Sequence, residues 1–397
     1  MYIREKIKDS FIINPLEILP KDKAFKKVSM DCVMAHRKKI QDYSIEEYRG
    51  GSKFRNGDTL VARITPCLEN GKTCQVDILD DGEIGFGSTE FIVLRGKPGI
   101  TTNDFTYYVA TGDYFRSQAI SSMAGTSGRQ RVQVDILGQK KVFIPSIEKQ
   151  KLITNVLCPL DDKIEKNCES IGLYFQLIQS IYKSWFNDFA YPDNTGELEN
   201  EEPKGWKRSN VFDNITDVAE KNKNNNDYPV LSVVKEGEFK ASDDVFTKQV
   251  YSKSTANYKI VRHNQVAYNP ARANIGSIAM LTDYEVGLVS PIYVVFETKE
   301  SITPTFFYYY MKQPLFLENI KHHAIGTTRQ NFPFEAFKTF EMVVPPIELQ
   351  LRFEEVAVPI EQKITKLKAE NNILAKIRDT LLPKLMSGEL PMEVGEC

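Results

Sequence analysis

Two short polar elements of this chain carry side chains suited to contacting a nucleic acid. The first is Gly125-Thr126-Ser127-Gly128-Arg129-Gln130. The second, one residue shorter, is Gly326-Thr327-Thr328-Arg329-Gln330. A guanidinium fork pairs with guanine and a glutamine amide with adenine, and both also donate to phosphate oxygens. The two copies hold the same residues, so they suit something that is the same at both places: a sugar–phosphate backbone, or the domain's own turn. Base reading belongs where the copies differ. The candidates there are Lys53, Arg55, Arg63, Lys72 and Arg131 in the first half, and Lys259, Arg262, Tyr268, Asn269 and Arg272 in the second. Each of these cations also has a plainer use as a solubilising surface charge.

The net charge of −2 over 397 residues is not the basic footprint usual for a nucleic-acid binder. Its distribution is more informative. Val245 to Thr282 contains no acid but holds Lys248, Lys253, Lys259, Arg262 and Arg272, and Tyr114 to Val134 contains no acid but holds Arg116, Arg129 and Arg131. Spaced cations without acidic neighbours suit a polyanion, although a solvated face has the same composition. No apolar run is long enough to span a bilayer, and Met1-Tyr2-Ile3-Arg4-Glu5-Lys6 lacks a signal core, so a cytoplasmic protein with reduced thiols is expected.

Catalytic motifs are incomplete throughout. Asn269-Pro270-Ala271-Arg272 and Asn14-Pro15-Leu16-Glu17 lack the second proline and the aromatic of an amino-methyltransferase motif. Asn70-Gly71-Lys72-Thr73 has only the end of a phosphate loop, with Pro66 where its first glycine belongs. Ile84-Gly85-Phe86-Gly87 reads as a glycine pair in a turn. Asp193, Glu202 and Lys204 sketch a metal nuclease, but they fall in an acidic, turn-rich linker with nothing to fix two carboxylates on a metal. No catalytic residue and no metal ligand is assigned.

The elements that must position these side chains come in two copies. Val142-Phe143-Ile144-Pro145-Ser146-Ile147-Glu148-Lys149-Gln150 returns 200 residues later as Met342-Val343-Val344-Pro345-Pro346-Ile347-Glu348-Leu349-Gln350. Each half opens with strands and turns. Thr59–Ile64, Glu90–Leu94 and Pro291–Phe296 read as strands, and Asn56-Gly57, Asn70-Gly71 and Asp81-Gly82 as turns. Phe105–Val109 and Phe306–Tyr310 read as aromatic helical patches bound for a core. A long helix closes each half. Leu160, Ile164, Asn167, Ile171, Tyr174, Ile178, Ile181 and Trp185 alternate at spacings of 4 and 3, as do Ile360, Ile364, Leu367, Asn371, Leu374, Arg378, Leu381 and Leu385. That is a coiled-coil seam, in which Asn167 and Asn371 would favour one register. Pro159 and Pro359 read as restarting each helix after a shorter one, which leaves a main helix of about 30 residues, roughly 45 Å. The linker allows the two helices to pair antiparallel.

The close of the second helix, Ile377-Arg378-Asp379-Thr380-Leu381-Leu382-Pro383-Lys384-Leu385-Met386-Ser387-Gly388-Glu389-Leu390, resembles the typical end of specificity (S) subunits of type I restriction-modification systems. Pro346–Gln350 and the opening Gly205-Trp206-Lys207 fit as well, while the first half lacks the Gly-Trp-Lys opening. The resemblance implies an α+β fold: two tandem mixed α/β target-recognition domains, separated by two long helices that pair as an antiparallel coiled coil. It divides the chain into a first recognition domain (1–144), a helical spacer (145–189), a linker (190–205), a second recognition domain (206–344), a second spacer (345–390) and a tail (391–397). It implies a non-catalytic reader of an asymmetric, bipartite site in double-stranded DNA, one domain per half-site. Leu160, Ile164, Ile171, Ile178, Trp185, Ile360, Ile364, Leu367, Leu374 and Leu381 would form the spacer and dock methyltransferase (M) subunits, two per chain, with restriction (R) subunits joining them. The chain itself would hold no cofactor; the methyltransferase would use S-adenosylmethionine and the restriction subunit ATP and Mg. The competing reading is a coiled-coil adaptor without DNA specificity.

Overall fold

The structure is a computed structural model. It describes residues 2–21, 23–126, 128–199, 201–242, 254–324 and 331–390. The chain divides into two compact units. Unit 1 runs to Ser170 and takes up the chain again from Leu367; unit 2 is Ile171–Lys366.

Unit 1 begins with β1 (Tyr2–Lys6), which pairs antiparallel with β12 (Lys141–Pro145). After a single helical turn, α1 (Ile7–Ser10), come β2 (Phe11–Ile13), β3 (Ala24–Val28), β4 (Ser44–Glu47), β5 (Ser52–Phe54), β6 (Thr59–Ala62), β7 (Thr73–Gln75), β8 (Gly85–Gly87) and β9 (Phe91–Gly96). They form two sheets, of order β2-β9-β6-β7 and β4-β3-β8-β5. α2 (Asn103–Thr111) covers the first sheet with Phe105, Tyr107 and Tyr108 buried, and is followed by α3 (Asp113–Ser121). A two-strand hairpin, β10 (Met123–Ala124) with β11 (Arg131–Val132), and α4 (Val134–Gln139) lead to β12. The long α5 (Ile147–Tyr182) follows and crosses the unit boundary.

Unit 2 repeats the plan. The linker forms a small hairpin, β13 (Leu198–Glu199) with β14 (Glu202–Pro203). β15 (Lys207–Asn210) pairs with β24 (Glu341–Val344) as β1 pairs with β12. β16 (Ile215–Asp217), β20 (Val266–Tyr268), β21 (Ile278–Met280) and β23 (Val294–Thr298) form a sheet of order β16-β23-β20-β21, the counterpart of β2-β9-β6-β7. The second sheet of unit 1 is here replaced by two pairs, β17 (Leu231–Val233) with β18 (Phe239–Ala241) and β19 (Lys259–Arg262) with β22 (Val286–Val289). α6 (Pro304–Met311) and α7 (Pro314–His323) stand where α2 and α3 stand, and the long α8 is Ile347–Ser387.

Two expectations need correction. Pro159 and Pro359 do not restart a helix; each lies inside one continuous helix, of 36 and 41 residues. A proline here removes one hydrogen bond, to the carbonyl four residues earlier. Pro159, Asn155, Pro359 and Glu355 are all exposed, so that carbonyl lies on a solvent-facing side of the helix rather than in the core. Gly85-Phe86-Gly87 is not a turn either. It is the inner strand β8, paired with β3 and β5, and a Cβ on Gly85 would sit 2.5 Å from the Phe54 ring.

Each unit takes one segment from each long helix, and the segments run antiparallel. In unit 1 Asp161 meets Arg378 and Asn167 meets Asn371. In unit 2 the Tyr182 ring lies 5.7 Å from Phe353, and the Lys363 ammonium lies over Tyr174. The helices complete both cores: Ile153, Leu157, Leu382 and Leu385 join that of unit 1, and Ile178, Tyr182, Leu349 and Phe353 that of unit 2.

Candidate nucleic-acid interface and helix surfaces

The scaffold of each candidate surface is held by one glutamine. Gln150, wholly buried at the start of α5, accepts from the Thr102 amide (2.9 Å) and donates to the carbonyls of Ile100 (2.7 Å) and Pro145 (2.9 Å). Gln350 repeats this at the start of α8, accepting from Thr303 N (2.8 Å) and donating to Ser301 O (3.1 Å) and Pro345 O (2.9 Å). Thr102 and Thr303 in turn cap α2 and α6 through their hydroxyls. The repeated Pro-x-Ile-Glu-x-Gln motif is thus a hydrogen-bonded joint between helix and domain.

The first Arg-Gln element is the loop of the β10–β11 hairpin. Gly125 and Gly128 turn it with φ of 125° and 80°, values open to glycine without strain. The hairpin is pinned to the end of β6: the Gln130 carbonyl accepts from Thr65 N (3.0 Å), and Val132 N donates to Arg63 O (2.8 Å). Arg129 projects into solvent and has no side-chain partner among the described residues. In unit 2, Arg329 and Gln330 lie outside the described residues. Just beyond them, Phe332 N donates to Pro270 O (3.0 Å), beside Asn269 and Arg272.

The other candidates divide by partner. Arg55 donates to Glu17 (2.8 Å), Arg131 to both oxygens of Glu90, and Arg262 to Glu220 (2.8 Å). The Arg55 bond is the chief reason the Glu17 carboxyl titrates below its ordinary value, with Arg95 adding to it. Arg131 and Arg262 lie on the surface, where such a pair contributes only about 0.2–1 kcal/mol and opens to a phosphate at little cost. Lys53 donates to Glu17 O, Lys72 to Met30 O, Arg63 to Val132 O and Arg116 to Thr111 O, so these four brace their own domain. Lys259 and Arg272 have no side-chain partner among the described residues, and Asn269 accepts from Ala271 N. Tyr268 is a correction. It is fully buried among Phe296, Phe332 and Phe337, where alternation along β20 points it inward, and its ring reaches no base without unfolding that core.

The seam residues Leu160, Ile164, Ile171, Ile178, Trp185, Ile360, Ile364, Leu367, Leu374 and Leu381 are buried or half-buried in the units, so most of their surface is turned inward. The exposed apolar side chains are others, off the heptad seam; besides Leu351 they are Val156, Leu173 (66% exposed) and Leu177, and Val356, Ile373 (59% exposed) and Ile377, of which the last three stand 200 positions after the first three. Apolar residues off the seam, repeated in both copies, were the available signal. In the linker, Asp193 faces Arg352 and Glu202 faces Arg208, so these carboxylates do not converge on one point. Among the described residues, no helix is long and apolar enough to cross a membrane.

The sequence matches the type I restriction modification DNA specificity domain over residues 6–171 and again over 209–377, once per repeat. The chain belongs to this family. The HindI type I restriction enzyme specificity subunit of Haemophilus influenzae is 26% identical over 432 residues, covering 87% of this chain and 90% of that protein. The MjaIX specificity subunit of Methanocaldococcus jannaschii is 24% identical over 316 residues, covering 75% and 71%. The type I restriction-modification S subunit of M. genitalium shares the fold, with a TM-score of 0.55 at 14% identity over 97% of this chain and 96% of that one.

Proposed function

We propose that this chain is the non-catalytic DNA-reading subunit of a type I restriction-modification complex, and that each unit reads one half of an asymmetric, bipartite site. Family membership supports the DNA-reading role. The observation that carries the bipartite reading is the pairing of identical joints, Gln150 and Gln350, with unlike surfaces around them. Arg129, Lys259, Asn269 and Arg272 are the contacts to DNA that the described geometry leaves most available, with Arg131 and Arg262 reaching phosphate once their surface pairs open. Two methyltransferase subunits dock on the helices, one on the exposed surface of Leu173 and Leu177 and one on that of Ile373 and Ile377; repeated patches suit two copies of one partner. S-adenosylmethionine belongs to that methyltransferase, and ATP and Mg to the restriction subunits that join it.

Co-expression with a methyltransferase subunit, followed by sequencing of modified adenines, tests this. The expected result is one new interrupted methylation motif. Exchange of residues 206–344 for another such domain should alter one half of the motif only. A stable complex that leaves no new motif, or an exchange that alters both halves, would overturn the reading.

A further inference from the structure

Unit 1 contains a cavity of about 370 Å³ bounded by the last turns of α8, by Tyr107 and Tyr108 of α2 and by the start of α3. In unit 2 larger side chains stand at four of the equivalent positions. Leu382, Met386 and Ser387 line the cavity, and their counterparts 200 positions earlier are Tyr182, Phe186 and Asn187. Gly112, also in the lining, corresponds to Gln313 when the shared caps Thr102 and Thr303 are aligned. At all four positions unit 1 has the smaller side chain. In unit 2 the Tyr182 and Phe186 rings pack on Phe306, at 5.5 and 4.9 Å, and on Phe353. Asn187, in the short helical turn Lys183–Asn187 that follows α5, donates to Gln313 at 3.3 Å and ties the start of α7 to that turn. Ser387 and Gly112 are too short for that bond, so the mouth in unit 1 stays open.

The charged side chains in the cavity lining are already paired, and the Arg4 guanidinium lies over the Phe143 ring at its edge. Arg378 pairs with Asp161 (2.7 Å) and Asp379 (2.9 Å), and Arg116 lies 3.7 Å from Asp113. Burial, with Arg116 and Arg378 nearby, holds the His36 imidazole below its ordinary value. A charged occupant would lose hydration without gaining a free counter-charge, whereas an apolar ring gains by leaving water. The exposed rings of Tyr114 and Phe143 in the lining extend the apolar surface outward.

We infer that this cavity receives one aromatic side chain of the methyltransferase subunit that docks on unit 1. The inference rests on the docking proposed above. Its wall is α8, the same helix that carries the exposed Ile373 and Ile377, and unit 2 shows that aromatic rings fit this place in the fold. The larger counterparts in unit 2, Tyr182 and Phe186, would distinguish the two docked copies.

The test is titration calorimetry of the full chain with purified cognate methyltransferase subunit. The double variant Leu382→Tyr, Met386→Phe gives unit 1 the side chains of unit 2. Gly112→Gln narrows the mouth alone; its backbone φ of −67° accepts any residue, and the added Cβ would lie 3.4 Å from its neighbours. Thermal unfolding of each free variant is expected at or above the wild-type temperature. One of the two methyltransferase copies is expected to bind at least tenfold more weakly to either variant, with the other unchanged. If the double variant fails to fold, Gly112→Gln decides. Wild-type binding that neither variant alters would overturn this inference and leave the docking reading intact. A wild-type chain that binds no methyltransferase would overturn both.

Discussion

Asp161 and Glu361 stand at equivalent places in the two units and meet opposite surroundings. Asp161 accepts from Tyr108 (2.7 Å) and from the buried guanidinium of Arg378 (2.7 Å). Glu361 has Tyr309 as its hydrogen-bond partner, and the counterpart of Arg378 is Ile178, buried in the unit 2 core. Burial therefore holds the Glu361 carboxyl above its ordinary value, against the opposite pull of the Tyr309 hydrogen bond and a weaker one from His263, while Glu354 adds to the rise. The joints, by contrast, agree closely, down to the three hydrogen bonds of Gln150 and Gln350. The difference teaches where duplication has been kept and where it has been spent on distinction. Joints between helix and domain stay identical because any change there orphans buried backbone groups. The helix pairing has become asymmetric. A slipped register would bury Arg378 or Asp161 unpaired, and the Asn167–Asn371 bond in unit 1 acts in the same direction.

The sharpest way to break this comparison is Arg378→Ile, which gives unit 1 the residue of unit 2. It leaves Asp161 buried without its cation and is expected to cost about 3–5 kcal/mol. Urea unfolding of the chain should show an early transition, and adding Asp161→Leu should recover much of the loss. Full stability in the single variant would show that the pair has no structural role.

A smaller effect tests the agreement between the units. Gln150→Ala and Gln350→Ala each leave one amide and two carbonyls without their partner. Each should cost roughly 2–4 kcal/mol, with equal losses, because the two cages are alike. Unequal losses in the same unfolding experiment would mean that the joints only look equivalent.

The smallest effect is in pH. Glu17 titrates below its ordinary value when folded, so its stabilisation is present above that value and is lost as pH falls through the folded one. Glu361 titrates above its ordinary value, so the folded state holds a proton that the unfolded state has released, and its contribution is lost as pH rises through the folded value. Glu17→Gln should flatten the acid limb of the stability profile, and Glu361→Gln the limb above the ordinary carboxylate range. Identical profiles for both variants would remove the electrostatic contrast.

Part of this protein was legible in its residues. The two aromatic helices, strands β6 and β9, and both long helices follow from local periodicity, which acts over a few residues. The prolines at 159 and 359 misled because a single interior proline on a wet face costs one hydrogen bond, while tertiary packing of a long amphipathic helix returns more. Among the candidate DNA contacts, composition identified cations but not their partners. Glu17, Glu90 and Glu220 lie 38, 41 and 42 residues from Arg55, Arg131 and Arg262, and only the folded chain brings them together. Tyr268 sits beside the polar Asn269 and Arg272 in the sequence, yet its place in an inner strand is a core position.

By itself, then, the sequence determined that this chain holds two copies of one plan, each closed by a seamed helix, and which family it belongs to. These properties reside in spacing and repetition along the chain. Only the tertiary structure decided that each long helix is shared between both units, which candidate cations are already paired, which apolar side chains face outward, and that unit 1 holds a cavity lined by smaller side chains at Leu382 and Met386 than their counterparts in unit 2. Those properties depend on contacts between residues far apart in the chain, whose energies are set by burial and pairing in three dimensions rather than by local order.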